Sequence, residues 1–244
     1  MGVGQRHAQP HTPRALRRAA GTLKEPGRMP ANALTAPPRA VLATALAGLA
    51  GLAALTFAVT QGGTLAFDRA TLEAFAALRT PGADTFFRVV TWLGSSWLLA
   101  PAAILIAAAL VARREQRAAA LLVLTYFGAS LTTWLLKSAI GRERPALVPL
   151  VEIAAWDLSF PSSHATHAAA FALGLWLLAA RFRPHWRAAS GVLLAGMVLL
   201  VAVSRLYLQV HWPSDVAAGL LVAGIWAGLA FAATGRNLTN EEKS

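Results

Sequence analysis

An all-α fold, a polytopic membrane protein with six transmembrane helices, is predicted by three observations. Hydrophobic residues make up 56% of the chain, with a mean hydropathy of +0.52. Charged residues reach only 14%, against about 25% in ordinary soluble domains. The apolar residues also fall in six long runs separated by polar or basic connections. The chain has no cysteine, which excludes disulfides and thiolate metal sites. A net charge of +11 invites a nucleic-acid reading, but the basic residues are dispersed between apolar runs. That placement fits membrane orientation, and no nucleic-acid partner is expected.

Residues 1–39 are rich in Arg, Pro and Ala and carry no sustained helical or strand period, so they read as a disordered basic cytoplasmic tail. Met29 is a candidate for the true start. Residues 40–60 are uncharged and apolar, long enough to cross a bilayer, which takes about 20 residues. This run exceeds the apolar core of a signal peptide and is read as an uncleaved span. Over 61–88, Asp68, Arg69, Glu73, Arg79, Asp84 and Arg88 interrupt Leu, Phe and Ala. An amphipathic interfacial helix, a turn at Thr80-Pro81-Gly82 and a second short helix suit that mixture. Five more spans follow at 89–112, 118–136, 164–180, 188–204 and 215–234, completing a membrane domain over 40–234. A short C-terminal tail covers 235–244.

The distribution of Lys and Arg orients the spans. The two tails and the basic loops at 113–117 and 181–187 hold 15 of the 22, and the opposite side holds 7. The positive-inside rule therefore puts both termini in the cytoplasm, and the Ala-, Leu- and Arg-rich composition suggests a bacterial inner membrane as the setting. The connections that follow the third span and the fifth span then face outward.

Three outward stretches carry the chemistry. At the end of the third span lies Lys137-Ser138-Ala139-Ile140-Gly141-Arg142-Glu143-Arg144-Pro145. A charge such as Lys137 at the edge of an apolar helix is costly unless paired or snorkelling. Arg144, before a proline, is biased to extended backbone and should project from the loop. The second stretch, Ser159-Phe160-Pro161-Ser162-Ser163-His164, opens the fourth span. Ser162 or Ser163 can act as the N-cap, and the free N–H groups of a helix start form an anion site beside His164.

The third stretch runs from Ser204 to Asp215 and packs Arg205, His211 and Asp215 between two apolar runs. Pro213 suits the first position of a helix, which places Asp215 in its first turn within reach of the His211 ring. A carboxylate that holds one imidazole nitrogen leaves the other free as nucleophile or base. If the stretches converge, Lys137, Arg144 and Arg205 surround one oxyanion such as phosphate. His211, oriented by Asp215, is then the nucleophile, and His164 the general acid for the leaving oxygen. With no carboxylate cluster on that side suited to magnesium, a reaction without metal or other cofactor is expected.

Lys137 with Arg144-Pro145, Pro161-Ser162-Ser163-His164, and Ser204-Arg205 with His211 and Asp215 resemble the three signature motifs of the type-2 phosphatidic acid phosphatase superfamily. The likeness spans roughly residues 40–234 and includes motif order and position at span ends. It implies a six-helix enzyme hydrolysing phosphomonoesters or pyrophosphates through a phosphohistidine. Carried over, His211 is the nucleophile, Asp215 its partner and His164 the acid, while Lys137, Arg144, Ser162, the Ser163 amide and Arg205 bind phosphate. Undecaprenyl pyrophosphate, phosphatidic acid and phosphatidylglycerol phosphate are the substrates the resemblance brings forward. Where the family has glycine this chain has Ser163, strained if that backbone needs a positive φ and acceptable in an ordinary helix start. A phosphotransferase using the same site and a silent anionic-lipid-binding protein are the rival readings.

Other polar residues have plainer readings. His167 and His185 read as interfacial, and a metal held by His164 and His167 is disfavoured by the surrounding cations. Arg142 and Glu143 read as loop surface. Trp92, Trp97, Trp156 and Trp212 read as interface-belt residues.

Overall fold

In the computed structural model of the chain, residues 1–2, 38–145 and 158–235 are described. The predicted tails over 1–39 and 235–244 lie almost wholly outside these residues, as do Met29 and Trp156. Among the described residues every regular element is helical, as a bilayer requires of a backbone that must satisfy its own hydrogen bonds. Helix α1 spans Pro38–Thr60, α2 Leu65–Ala77, α3 Pro81–Val90, α4 Ser96–Ala112, α5 Gln116–Val123, α6 Ala129–Ile140, α7 Ser163–Phe182, α8 Arg187–Tyr207 and α9 Pro213–Gly235. Six helical stretches are long and apolar enough to cross a membrane: Ala40–Thr60, Pro81–Ala112, Gln116–Ile140, Ser163–Phe182, Pro184–Tyr207 and Pro213–Gly235. The chain is a multi-pass membrane protein.

Two spans are composite. Helices α3 and α4 join through a 3₁₀ turn, Thr91–Gly94, and α5 and α6 through a single π turn, Leu124–Gly128. Thr80 begins α3 rather than a turn. Its extended backbone and its Oγ1, which accepts from the Ala83 N–H at 3.2 Å, make it an N-cap, with Pro81 in the first helical position. At the end of α6, Gly141 adopts φ +65°, the left-handed conformation a helix stop favours.

Helices α7 and α9 form the centre of the bundle, with α1 and α8 packed on them. Small residues permit this. The buried face of α7 is Ala165, Ala168, Ala169, Ala170, Ala172 and Gly174, and small side chains let helix backbones approach in a membrane. At Gly219, α9 comes close to the start of α7: a Cβ there would stand 2.8 Å from Thr166 Oγ1 and 2.9 Å from the Ser162 carbonyl oxygen. Six alternating crossings bring the α1–α3 connection, the end of α6, the start of α7 and the α8–α9 junction to one end of the bundle.

Candidate active site

At that end the three polar stretches are tied together by backbone and side-chain bonds. Lys137, in the last turn of α6, donates to the Leu158 carbonyl, and the Ser159 N–H donates to the Arg142 carbonyl at 2.7 Å. The Ser162 N–H donates to the Asp215 carbonyl at 3.0 Å, Arg144 donates to the Val210 carbonyl at 2.6 Å, and Trp212 Nε1 donates to the Glu143 carbonyl at 3.1 Å. The chain from 137 to 145, the α7 start and the α8–α9 junction thus form one frame.

His211 lies within it, with only 1% of its surface exposed. Gln209, in the left-handed region at φ +60°, turns the chain just before it and anchors that turn by donating from Nε2 to the Leu72 carbonyl of α2 at 2.6 Å. A guanidinium nitrogen of Arg144 stands 3.0 Å from His211 Nε2. Arginine can only donate, so Nε2 presents its lone pair and the ring proton resides on Nδ1. Burial first, then the charges of Arg144, Arg205 and Lys137, push the His211 pKa well below its ordinary value, against an opposing pull from the Ser159 backbone. The ring is held neutral.

Asp215 is fully buried and faces the Nδ1 side of His211 at 3.5 Å, longer than a hydrogen bond. Its oxygens are taken by other donors. Oδ2 accepts from the Trp212 N–H at 2.8 Å and from the Ser159 hydroxyl, and Oδ1 accepts from Arg142 at 2.6 Å. The carboxylate therefore stands behind the ring as a fixed charge.

His164 sits in the first turn of α7, close enough to Arg205 and Arg144 to feel their charge. Arg205 is 6% exposed and donates to Thr91 Oγ1 of the 3₁₀ turn, and Gly94 of the same turn packs against the His164 backbone. Ser162 occupies the N-cap position, but its hydroxyl makes no capping bond; it is buried without a partner. Ser163 is the first residue of α7 and is not among the residues with positive φ, so serine in place of glycine carries no backbone strain there.

Several plain readings give way. Arg142 is not loop surface: besides Asp215 it binds Ser214 Oγ at 2.7 Å and Asp68 at 2.8 Å, and its guanidinium lies 5.4 Å from the centre of the Trp212 ring. Trp212 is 9% exposed and belongs to this cluster rather than to an interface belt, whereas Trp92 and Trp97 are exposed. His167 packs against Tyr126, ring centres 5.5 Å apart, with Nδ1 buried and unpartnered. His167 is half-buried, whereas His185 is exposed. Asp68, Ser159 and Ser214 belong to the site network without having stood out in the sequence. The available signal was the carboxylate of Asp68, which follows Leu65-Ala66-Phe67 and precedes Leu72 by one turn.

A family model described as the PAP2 superfamily matches residues 118–238. Phosphatidylglycerophosphatase B of Bacillus subtilis is 29% identical over 155 residues, covering 62% of this chain and 75% of that protein. A putative undecaprenyl-diphosphatase of Escherichia coli, YbjG, is 44% identical over 69 residues, 28% of this chain and 31% of its own length. The crystal structure of a transmembrane PAP2-type phosphatidylglycerolphosphate phosphatase from Bacillus subtilis superposes with a TM-score of 0.70 at 25% identity, covering 77% of this chain and 94% of that one. Six-span architecture, family match and relatives agree: the chain is a membrane phosphatase belonging to the PAP2 superfamily.

Proposed function

We propose that this phosphatase hydrolyses a lipid phosphate monoester or pyrophosphate by covalent catalysis on His211, without a metal. The reading is supported chiefly by one observation, the neutral buried ring of His211 with its two nitrogens differently engaged. Nε2 carries the available lone pair beside Arg144, and Nδ1 faces the Asp215 carboxylate. Nε2 attacks phosphorus, the bond from phosphorus to the leaving oxygen breaks, and His164 delivers a proton to that oxygen. The imidazolium formed is stabilised by Asp215. Water, giving its proton to His164, then displaces the phosphoryl group from Nε2 and restores both histidines. Lys137, Arg144, Arg205, the Ser162 hydroxyl and the Ser163 amide hold the charge of the transferring group.

The substrate class follows from the setting and the relatives. A phosphate pocket at the ends of membrane spans suits a headgroup whose tail stays in the bilayer. The relatives' names point to phosphatidylglycerophosphate and undecaprenyl pyrophosphate, with phosphatidic acid as a third candidate. The charge distribution supports cytoplasmic termini and a site at the outer face of a bacterial inner membrane.

The test is phosphate release by detergent-purified protein with EDTA present, across those three lipids, beside His211→Ala. EDTA-resistant release that disappears in the variant, with an acid-labile phosphoenzyme trapped in the wild type, is the expected result. Release that survives in His211→Ala would sink the nucleophile assignment. Phosphoryl transfer to an added alcohol in preference to water would make the chain a transferase.

A further inference from the structure

Asp68 lies outside the matched residues 118–238, on helix α2 between the first two spans, and is wholly buried. Its Oδ1 accepts from the Ser214 N–H at 3.0 Å, and its Oδ2 from the Ser214 hydroxyl at 2.6 Å and from Arg142 at 2.8 Å. One carboxylate thus caps the first turn of α9 from a different helix and holds one arm of Arg142. The other arm of Arg142 binds Ser214 Oγ and Asp215 Oδ1. We propose that Asp68 is a positioning residue for the phosphatase reaction: by holding Arg142 it fixes which oxygen of Asp215 faces His211. The proposal rests on the reading of His211 and Asp215 given above.

The geometry supplies the reason. A guanidinium and a lone carboxylate prefer a two-pronged pair, with both arms on both oxygens. Arg142 does not pair with Asp215 in that way, because its second arm is engaged by Asp68. Oδ2 of Asp215 is thereby left to the Trp212 N–H, the Ser159 hydroxyl and the Nδ1 side of His211. Without the Asp68 charge, Arg142 is free to turn both arms onto Asp215 and draw Oδ2 away from the ring.

The experiment is a double-mutant cycle on phosphate release from the best lipid substrate, with inorganic phosphate inhibition and thermal midpoints measured alongside. Asp68→Asn is expected to lower kcat about 10- to 100-fold, the range for losing a partner that orients a working ligand. KM and inhibition by phosphate should stay near wild type, because Asp68 binds Ser214 and Arg142, neither of which is assigned to the phosphate. In an Asp215→Asn background the same change should cost less than about 2-fold, since the oxygen it orients has gone. An equal loss from Asp68→Asn in both backgrounds would overturn the positioning role while leaving His211 and Asp215 intact. Full turnover by Asp215→Asn alone would overturn both. If Asp68→Asn does not fold, Asp68→Glu keeps the charge but shifts it by a methylene, and unchanged kcat in that variant overturns the proposal.

Discussion

The guanidinium of Arg144 lies 3.0 Å from Nε2 of His211, the ring nitrogen assigned to attack phosphorus. A cation on the lone pair keeps the ring neutral but also covers the proposed nucleophile, so on that reading an arriving phosphate draws Arg144 onto its own oxygens. The same contact bears on pH. The folded ring resists protonation, while the unfolded ring titrates near its ordinary value of 6.5. Below that value the unfolded state binds the extra proton, so stability rises with pH in this window and falls as the solution is acidified. Wild-type protein in detergent should therefore lose more of its thermal midpoint between pH 7.5 and pH 5 than His211→Gln, with the experimental range set about that ordinary value. Arg144→Gln should move the His211 pKa upward, read by NMR of labelled histidine; an unmoved resonance would remove Arg144 from the cause.

His164 is assigned to protonate the leaving oxygen, which makes its importance depend on the leaving group. His164→Ala should lose about 10²- to 10⁴-fold on a lipid phosphate whose alcohol needs a proton. It should lose far less on p-nitrophenyl phosphate, whose leaving group departs unprotonated. Equal losses on both substrates would move His164 to phosphate binding.

Arg142 is 14% exposed and bridges two carboxylates that are wholly buried. Removing it strands both, and losing one partner of a buried ion pair costs about 3–5 kcal/mol. Arg142→Ala should therefore lower the thermal midpoint sharply as well as turnover. Arg142→Lys keeps the charge but lacks the two-armed plane and should recover part of the stability and little of the activity. A stable, fully active Arg142→Ala would show the bridge to be incidental.

Gly219 sets how closely α9 approaches the start of α7. A methyl group there meets Thr166 Oγ1 at 2.8 Å and the Ser162 carbonyl at 2.9 Å. Gly219→Ala should cost about 1–3 kcal/mol, the usual range for overpacking, and displace the Ser162–Ser163 helix start. KM for lipid phosphate should rise with it. A lowered midpoint with unchanged KM would mean that the α7 start does not hold phosphate.

Much of this was readable in advance because the governing signals are local. A run of apolar residues predicts a span whatever its neighbours, and helix starts such as Pro213 and Ser162–Ser163 follow from backbone chemistry within a turn. Lys137, Arg144, His164, Arg205, His211 and Asp215 stand out because polar groups at span ends are costly and therefore conspicuous. Arg142 was misread because a charged residue in a short loop looks the same in sequence whether it faces water or two buried carboxylates. Trp212 and His167 were misread for a related reason, since an aromatic ring at a span end shows no side until the helices are packed.

By itself the sequence determined the all-helical class, the six spans, the order of the three polar stretches and the residue types brought to their ends. Only the tertiary structure decided which donor meets which oxygen. Asp215 spends its hydrogen bonds on Trp212, Ser159 and Arg142 rather than on the nearby His211 ring, and Asp68 reaches the site from a helix 74 positions away from Arg142. Such pairings depend on how six helices cross and on the parity that sets each connection at one end of the bundle. A carboxylate's nearest partners in space are then residues that no spacing rule along the chain relates to it.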